Sequence, residues 1–159
     1  MVAVDESECS HYALQWALQH LTHTIVDSHL VIFTVQPFVN SGFALAATYG
    51  TAPVELTASL QDNQKKIALA LLDKAKEICA KHGVFILCSK FSSAIVAETI
   101  TEIGDPKETI CEAVEKLNIE LLVLGSHSRG AIGRAFLGSV SNYCVHHAKC
   151  PVLVVKKPV

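Results

Sequence analysis

An apolar segment that runs directly into a glycine-rich loop is the feature that most constrains the fold of this chain. The segment begins at Ile119 and stops at Gly125, and a polar loop then leads to the pair Gly138-Ser139, which is typical of a helix start. A buried strand that delivers unpaired backbone amides to a helix N-terminus favours an anion, because the helix dipole adds to the amides. We therefore predict that residues 119–141 hold the phosphates of a nucleotide; the alternative is a strand-to-helix turn that binds nothing.

Two other phosphate-binding motifs do not match this loop. A P-loop requires Gly-Lys followed by Ser or Thr, and the loop has no such run. Residues 128–133 approach the dinucleotide fingerprint, but Ser128 replaces its first glycine and no acidic residue follows about twenty positions later. The pattern therefore argues against both a P-loop and an NAD or FAD site.

Strand and helix patterns alternate along the whole chain. Strands are predicted at residues 1–4, 29–35, 119–125 and 151–155, and helices at residues 10–20, 54–82, 106–117 and 139–147. Such alternation predicts one α/β domain over residues 1–159, with a mainly parallel sheet of about five strands and helices on both faces. Ligands bind such sheets outside the carboxyl ends of the strands, so Asp5, Val35 and the glycine loop should meet there.

Two stretches leave the strand assignment open. Residues 84–88 and 94–97 both resemble strands, whereas one crossover needs a single strand, so we expect one to join the sheet and the other to be an excursion. Asn40 to Pro53 is interpreted as a loop or lid. The first strand has about four residues, below the usual five or six, which suggests that the natural protein carries a few more residues upstream.

Local signals define several helix ends. Gly83 is typical of a helix C-terminal cap, and Asp105 followed by Pro106 is typical of an N-cap and a first helical residue. Residues 5–8 supply acceptors for the start of the first helix. Asp5 can serve as that cap, as a ligand contact, or as both, because a carboxylate has two oxygens.

Composition excludes several functional classes. Half of the 159 residues are apolar, and 13 basic against 15 acidic side chains give a net charge of −2, so nothing indicates nucleic acid or an anionic membrane as a partner. The apolar runs are too short to span a membrane. Six scattered cysteines without a secretory signal favour reduced thiols in a cytosolic or nuclear protein: Cys9, Cys79, Cys88, Cys111, Cys144 and Cys150.

A run of thiols and imidazoles near the C-terminus has a second interpretation. Residues 144–150 carry Cys144, His146, His147 and Cys150, which are metal-ligand types. Structural zinc sites use two short ligand pairs set apart, however, and here a helix runs into a strand. We therefore favour Cys144 in the core and the two histidines on a polar face near a helix C-terminus, with no metal.

The chain resembles the universal stress protein family, in particular small single-domain plant members. The resemblance covers nearly the whole chain and rests on residues 2–7, 104–106 and 151–155 and on the glycine loop. The family's nucleotide signature is Gly, two residues, Gly, nine residues, then Gly followed by Ser or Thr. Here Gly125 and Gly138-Ser139 occupy its ends, and Ser128 stands where the ATP-binding members have the second glycine.

The resemblance implies a fold, a ligand and a partner. The fold would be Rossmann-like, similar to the adenine nucleotide alpha hydrolases, and the ligand ATP, AMP or ADP, with Mg²⁺ as an accompanying ion. A homodimer would form through the last strand, Val152 to Val155, and the protein would act as a stress sensor or switch. Adenine and ribose would contact Ala3, Asp5 and Val35, and the phosphates would contact Leu124, Gly125, Ser126, His127, Ser128, Arg129, Gly138, Ser139, Val140 and Ser141.

Two departures from the family pattern open alternatives. Ser128 introduces a side chain where glycine allows positive φ or close approach, which could cost about 1 kcal/mol, although its hydroxyl could donate to phosphate. The stretch from Gly83 to Gly104 is longer than the family pattern. The alternatives are therefore an interaction or chaperone-like dimer whose pocket Ser128 impairs, and a redox-responsive holdase that oligomerises through cysteines such as Cys9 and Cys144.

The candidate site has few groups for catalysis. Hydrolysis needs a base that positions water and a carboxylate that holds a metal, and apart from Asp5 the loop supplies neither. His127 is more typical of a hydrogen-bond donor to phosphate, and Arg129 and Arg134 could each reach phosphate or lie in solvent. Slow turnover is compatible with this set, but a dedicated ATPase is not indicated.

Overall fold

A parallel six-stranded sheet forms the centre of the computed structural model, which describes residues 1–21, 29–38, 54–86, 96–126 and 137–158. The elements in chain order are β1 (Val2–Ala3), α1 (Glu8–His20), β2 (Leu30–Pro37), α2 (Val54–Lys81), β3 (Phe85–Ile86), β4 (Val96–Gly104), α3 (Pro106–Lys116), β5 (Leu122–Gly125), α4 (Ser139–His147) and β6 (Val152–Val155). The strand order is β3-β4-β2-β1-β5-β6, and every described pairing is parallel. The predicted α/β architecture is confirmed.

The two ambiguous segments both enter the sheet, so the expectation that one would be an excursion is wrong. β3 is a two-residue edge strand that pairs Phe85 with Val96. β4 is longer than its apolar start suggested, because it stays in register with β2 from Ala97 as far as Gly104. A strand beside a long neighbour forms backbone hydrogen bonds with it whatever its side chains are. The apolar periodicity of the sequence therefore does not predict how far such a strand extends.

A short first strand lies at the centre of the sheet. Val2 pairs with Ile32 on one side and with Val123 on the other. Two further bonds extend the ladder: the Val4 amide donates to the Phe33 carbonyl at 2.8 Å, and the Val123 amide donates to the Met1 carbonyl at 2.9 Å. β2 and β4 lie on one side of β1, and the chain then crosses to β5 on the other side of β1. The strand order therefore switches between β1 and β5, at the sheet's ligand-binding position.

Helices cover both faces because adjacent strand residues point to opposite sides. Leu30 and Ile32 belong to one core with α1 and α2, whereas Val31 and Phe33 belong to the other core with α3 and α4. Both faces of β2 are thus apolar, as its continuous β-branched run predicted.

Helix ends follow the local signals. Gly83, just past α2, has φ of +72°, which glycine adopts without steric cost. The side chain of Asp105 accepts a 3.0 Å hydrogen bond from the Lys107 amide at the start of α3, with Pro106 as its first residue. Both predicted caps are confirmed. Within the described ranges, no helix combines the length and apolarity needed to cross a bilayer.

The segment from Asn40 to Pro53, interpreted above as a loop or lid, lies outside the described residues, as does Cys88.

Candidate functional site

A cavity of about 560 Å³ opens at the carboxyl ends of β1, β2 and β5, next to the point where the strand order switches. The first turns of α1, α3 and α4 close its sides. A volume in the range of roughly 300–1,000 Å³ is typical of small-molecule sites. The position is the one that a parallel sheet predicts for a ligand.

Most of the predicted site residues meet at this cavity. Nine of them line it: Ala3, Asp5, Val35, Leu124, Gly125, Gly138, Ser139, Val140 and Ser141. The two ends of the glycine-rich region, Gly125 and residues 138–141, therefore reach one space. His127, Ser128, Arg129 and Arg134 lie outside the described residues.

Ser126 differs from the other predicted loop residues. It is buried, and its amide donates a 2.8 Å hydrogen bond to the carbonyl of Val155 at the end of β6. That amide is therefore already used in the sheet, and Ser126 is not among the described residues that line the cavity.

The N-terminus of α4 opens into the cavity without a side-chain cap. Gly138 is the N-cap residue, and the first turn contains no acidic side chain. The first intrahelical amide bond runs from Asn142 to the Gly138 carbonyl at 2.8 Å, so the amides of residues 139–141 have no partner within the helix. The Ser141 hydroxyl donates to the same carbonyl at 3.0 Å. The positive end of the helix dipole thus borders the cavity.

The neighbouring helix starts are electrostatically different. α1 has Glu8 in its first turn, and α3 has the Asp105 carboxylate as its cap and Glu108 in its first turn. Each carboxylate offsets the partial positive charge of its helix N-terminus. Three helix starts border the cavity in the described structure, and the start of α4 is the most favourable of them for an anionic ligand.

Asp5 supports the start of α1 but does not cap it. The N-cap is Ser7, whose Oγ accepts a 3.2 Å hydrogen bond from the Ser10 amide. Asp5 Oδ1 accepts from the Ser7 amide at 2.9 Å and from the Ser7 hydroxyl at 2.5 Å. The Ser10 hydroxyl donates to the Asp5 carbonyl at 2.9 Å. Asp5 is exposed and lines the cavity, so its carboxylate can reach a ligand while it holds Ser7 in place.

An apolar wall faces the polar helix starts. Phe33 and Leu124 belong to the core of the α3 and α4 face, and Ile110 continues that wall from α3. A flat apolar group such as a nucleobase can lie against such a wall while its charged end faces α4.

Several lining residues were not indicated by the sequence pattern. They are Val4, Ser7, Ser10, Phe33, Thr34, Pro37, Pro106 and Ile110. Ser7 and Ser10 have the three-residue spacing of a capping serine and its target, which is a local signal. Ile110 could not be found locally, because it reaches the cavity only when α3 packs on the sheet.

Gly125 is required by a neighbouring helix. A Cβ atom at this position would lie 2.6 Å from the carbonyl carbon and oxygen of Cys9 and 2.7 Å from the amide of Ser10. These are backbone atoms of the first turn of α1, which cannot rotate away. The glycine therefore allows the end of β5 to pass close beneath α1.

The thiols and imidazoles of residues 144–150 do not converge. Cys144 is fully buried in the core, as predicted. His146 and His147 are exposed near the end of α4, and their Nδ1 atoms lie 2.8 Å from the carbonyls of Asn142 and Tyr143. The described residues include no group of three or more side chains that could hold a metal ion.

Comparisons with known proteins agree with this architecture. A model of the universal stress protein family matches residues 1–156. A universal stress protein A-like protein of Arabidopsis thaliana is 29% identical over 167 residues, which cover 99% of this chain and 89% of that protein. The chain spans 61% and 64% of the length of two further Arabidopsis relatives.

Solved structures of the same kind share the fold. The universal stress protein UspA from Lactobacillus plantarum gives a TM-score of 0.72 at 22% identity, covering 97% of this chain and 94% of that one. A universal stress protein family protein from Arabidopsis thaliana with AMP bound gives a TM-score of 0.66 at 25% identity, covering 100% and 91%. With a family match over nearly its whole length and the same fold, the chain belongs to the universal stress protein family.

Proposed function

We propose that this protein binds an adenine nucleotide, AMP, ADP or ATP, in the cavity at the carboxyl end of the sheet. The observation that carries the proposal is the N-terminus of α4, which borders the cavity with three amides unused by the helix and no carboxylate in its first turn. A phosphate is the common biological group that such a terminus stabilises.

The remaining contacts extend along the cavity. Gly138, Ser139, Val140 and Ser141 would hold phosphates at the start of α4. Ala3, Asp5 and Val35 would contact adenine and ribose at the ends of β1 and β2. His127, Ser128 and Arg129, in the loop between β5 and α4, would add contacts to a longer phosphate chain and its Mg²⁺. The AMP found in the related Arabidopsis protein supports the choice of adenine.

A sensor or switch role would follow from nucleotide-dependent order in the glycine-rich loop. The glycine-rich region follows β5 and precedes α4 in the sequence, so phosphates held between Gly125 and the start of α4 would contact both of its ends. Slow hydrolysis is compatible with this site, and we expect the protein to act in the cytosol or nucleus.

A homodimer through β6 is the second part of the proposal. β6 is an edge strand of the described sheet and pairs only with β5 there. Its four residues, Val152 to Val155, are all apolar, and an apolar edge strand invites pairing with a second chain. Val154→Lys should shift the dimer to monomer in light scattering coupled to size exclusion, because a lysine on an edge strand opposes pairing with a second strand. The fold should tolerate this change, because Val154 belongs to neither core cluster. Val145→Lys, at an exposed residue of α4, is the matched control and should leave the dimer unchanged.

The first test of nucleotide binding is the content of the freshly purified protein. Denaturation should release AMP, ADP or ATP that mass spectrometry identifies. If no nucleotide is released and millimolar Mg-ATP does not raise the melting temperature, the proposal is wrong. Should Ser128→Gly then gain affinity where the parent had none, Ser128 has disabled the pocket and the interaction-dimer alternative is favoured.

A charge placed at the start of α4 gives a sharper test. Ser139→Asp adds a carboxylate to the first turn of α4, where it competes with a phosphate for the helix dipole and amides. Calorimetric titration with AMP should show at least about tenfold weaker binding, equivalent to about 1.4 kcal/mol. Gln15→Asp adds the same charge at an exposed residue of α1 outside the described cavity lining, and should bind like the parent. Equal affinity in the two variants would contradict phosphate binding at α4.

A further inference from the structure

Two cysteines from different helices lie next to each other in the core on the α3 and α4 face of the sheet. The Cys111 thiol of α3 donates to the Cys144 sulfur of α4, with 4.0 Å between the two Sγ atoms. Cys144 is fully buried, whereas Cys111 is half-buried and is the more accessible of the two. They are a facing pair of free thiols, 33 residues apart in sequence.

This thiol pair is linked to the cavity through both helices. Ile110 precedes Cys111 and lines the cavity, and Ser141, one helical turn before Cys144, also lines it. A helix shift that brings the two sulfur atoms together would therefore also move residues that line the cavity.

We propose that Cys111 and Cys144 form a reversible intramolecular disulfide when the protein meets a small disulfide oxidant such as glutathione disulfide. A disulfide requires a sulfur separation of about 2.05 Å, so the two Sγ atoms must approach by roughly 2 Å. Rotation of the half-buried Cys111 side chain, together with a small shift of the helices, can supply such a movement.

The reaction proceeds in two exchange steps. The Cys111 thiolate attacks glutathione disulfide, forming a mixed disulfide and releasing one glutathione thiolate. The Cys144 thiolate then attacks the Cys111 sulfur of the mixed disulfide, forms the Cys111–Cys144 bond and releases the second glutathione thiolate. Two protein thiols are oxidised, one glutathione disulfide is reduced to two glutathiones, and the two thiol protons end on glutathione or in solvent.

Burial makes this exchange slow. It raises the pKa of the Cys111 thiol, and it raises the pKa of Cys144 to about 12 with help from Cys111 and Cys150 nearby. Little thiolate is present at neutral pH, so the pair should react over hours rather than seconds.

Other pairings among the five cysteines that the structure describes are less favourable. Cys9 lies on α1, and Cys79 belongs to the core on the opposite face of the sheet from Cys144. A bond between Cys144 residues of two chains would require a fully buried sulfur to reach the surface. We therefore favour an internal bond over redox oligomers through Cys144, and Cys150 is the competing third thiol.

Peptide mapping tests the bond directly, because trypsin places each of the six cysteines in a separate peptide. The whole protein is incubated with glutathione disulfide, its free thiols are alkylated, and it is digested without reduction. We expect peptide 108–116 to be linked to peptide 135–149, with a mass two hydrogens below the sum of the two reduced peptides. A dithiol reductant should break the link and restore the two hydrogens. Cys150→Ser should keep the linked pair, and Cys111→Ser should lose it.

Three results would overturn the proposal. They are alkylation of both peptides after prolonged oxidation, a link between peptides 135–149 and 150–156 instead, and oxidation that yields only dimers between chains.

A second measurement concerns the cavity and rests on the proposed nucleotide binding. Drawing α4 towards α3 narrows the space between Ile110 and Ser141, so oxidised protein should bind AMP at least about threefold more weakly than reduced protein. Cys111→Ser should show no such difference. A confirmed bond with unchanged AMP affinity would refute the coupling to the cavity, whereas absent AMP binding in reduced protein would refute the nucleotide proposal and leave the disulfide standing.

Discussion

Replacing Gly125 with alanine should destabilise the fold, because the new methyl group would collide with the backbone of α1. The added Cβ would lie 2.6 Å from the Cys9 carbonyl group and 2.7 Å from the Ser10 amide, about 1 Å inside ordinary contact. Overpacking of this kind costs roughly 1–3 kcal/mol, and we expect about 2–3 kcal/mol because a helix backbone must move. For a chain of this size that is a fall of roughly 4–12 °C in melting temperature.

Urea denaturation followed by circular dichroism measures this cost, and Gly83→Ala provides the control. Gly83 has φ of +72° and nothing within 4 Å of a new Cβ, so its substitution should cost only the strain of a left-handed backbone, about 1 kcal/mol. If Gly125→Ala unfolds within about 0.5 kcal/mol of the parent, the steric argument is refuted. A variant with parental stability but without AMP binding would show instead that this glycine serves the approach of the ligand.

Further predictions concern packing, capping and ionisation. Leu14→Ala should lower the free energy of unfolding by roughly 2–5 kcal/mol because Leu14 is fully buried, whereas Gln15→Ala beside it should change it by less than about 0.5 kcal/mol in the same urea assay. Ser7→Ala should cost about 1 kcal/mol because Ser7 caps α1, and Ser139→Ala should cost little because no side chain caps α4; equal losses would contradict this difference. Because burial raises the pKa of Cys144 from 9.0 to about 12, its contribution to stability is complete below pH 9 and is lost as the pH rises towards 12, since the unfolded state releases its proton first. Cys144→Ala should therefore show a shallower fall of unfolding free energy above pH 9, by at most about 1.4 kcal/mol per pH unit, and parallel pH curves would be inconsistent with a buried neutral thiol.

Signals that act over a few residues predicted the structure well. Asp105 and Pro106 define the start of α3, and Gly83 defines the end of α2, because capping depends on the chemistry of one helical turn. The start of α1 was less well predicted. Asp5 and Ser7 both carry suitable oxygens, and only the geometry assigns the cap to Ser7 and a supporting role to Asp5.

Long-range pairing was beyond the local pattern. β4 continues through polar residues to Gly104 because β2 offers it a matching ladder, and no periodicity within β4 reports that partner. The resemblance implies a phosphate contact for Ser126, and only the structure shows that its amide donates to the carbonyl of Val155, which is 29 residues away. Such bonds depend on which strand becomes a neighbour.

The local sequence pattern was enough to predict the alternation of strands and helices and the meeting of Asp5, Val35 and the glycine-rich region, because the carboxyl ends of parallel strands meet at one edge, whatever packs on the faces. The family resemblance implied nine of the seventeen described residues that line the cavity. Only the tertiary structure shows that the starts of α1, α3 and α4 border one cavity, where the start of α4, which carries no carboxylate, is the one that favours an anion. The tertiary structure also shows a second role for Gly125. The sequence pattern places this glycine in a phosphate loop, whereas in the folded protein the backbone of α1 leaves no room for a side chain there. This contact could not be predicted locally, because it exists only once the helix packs on the sheet.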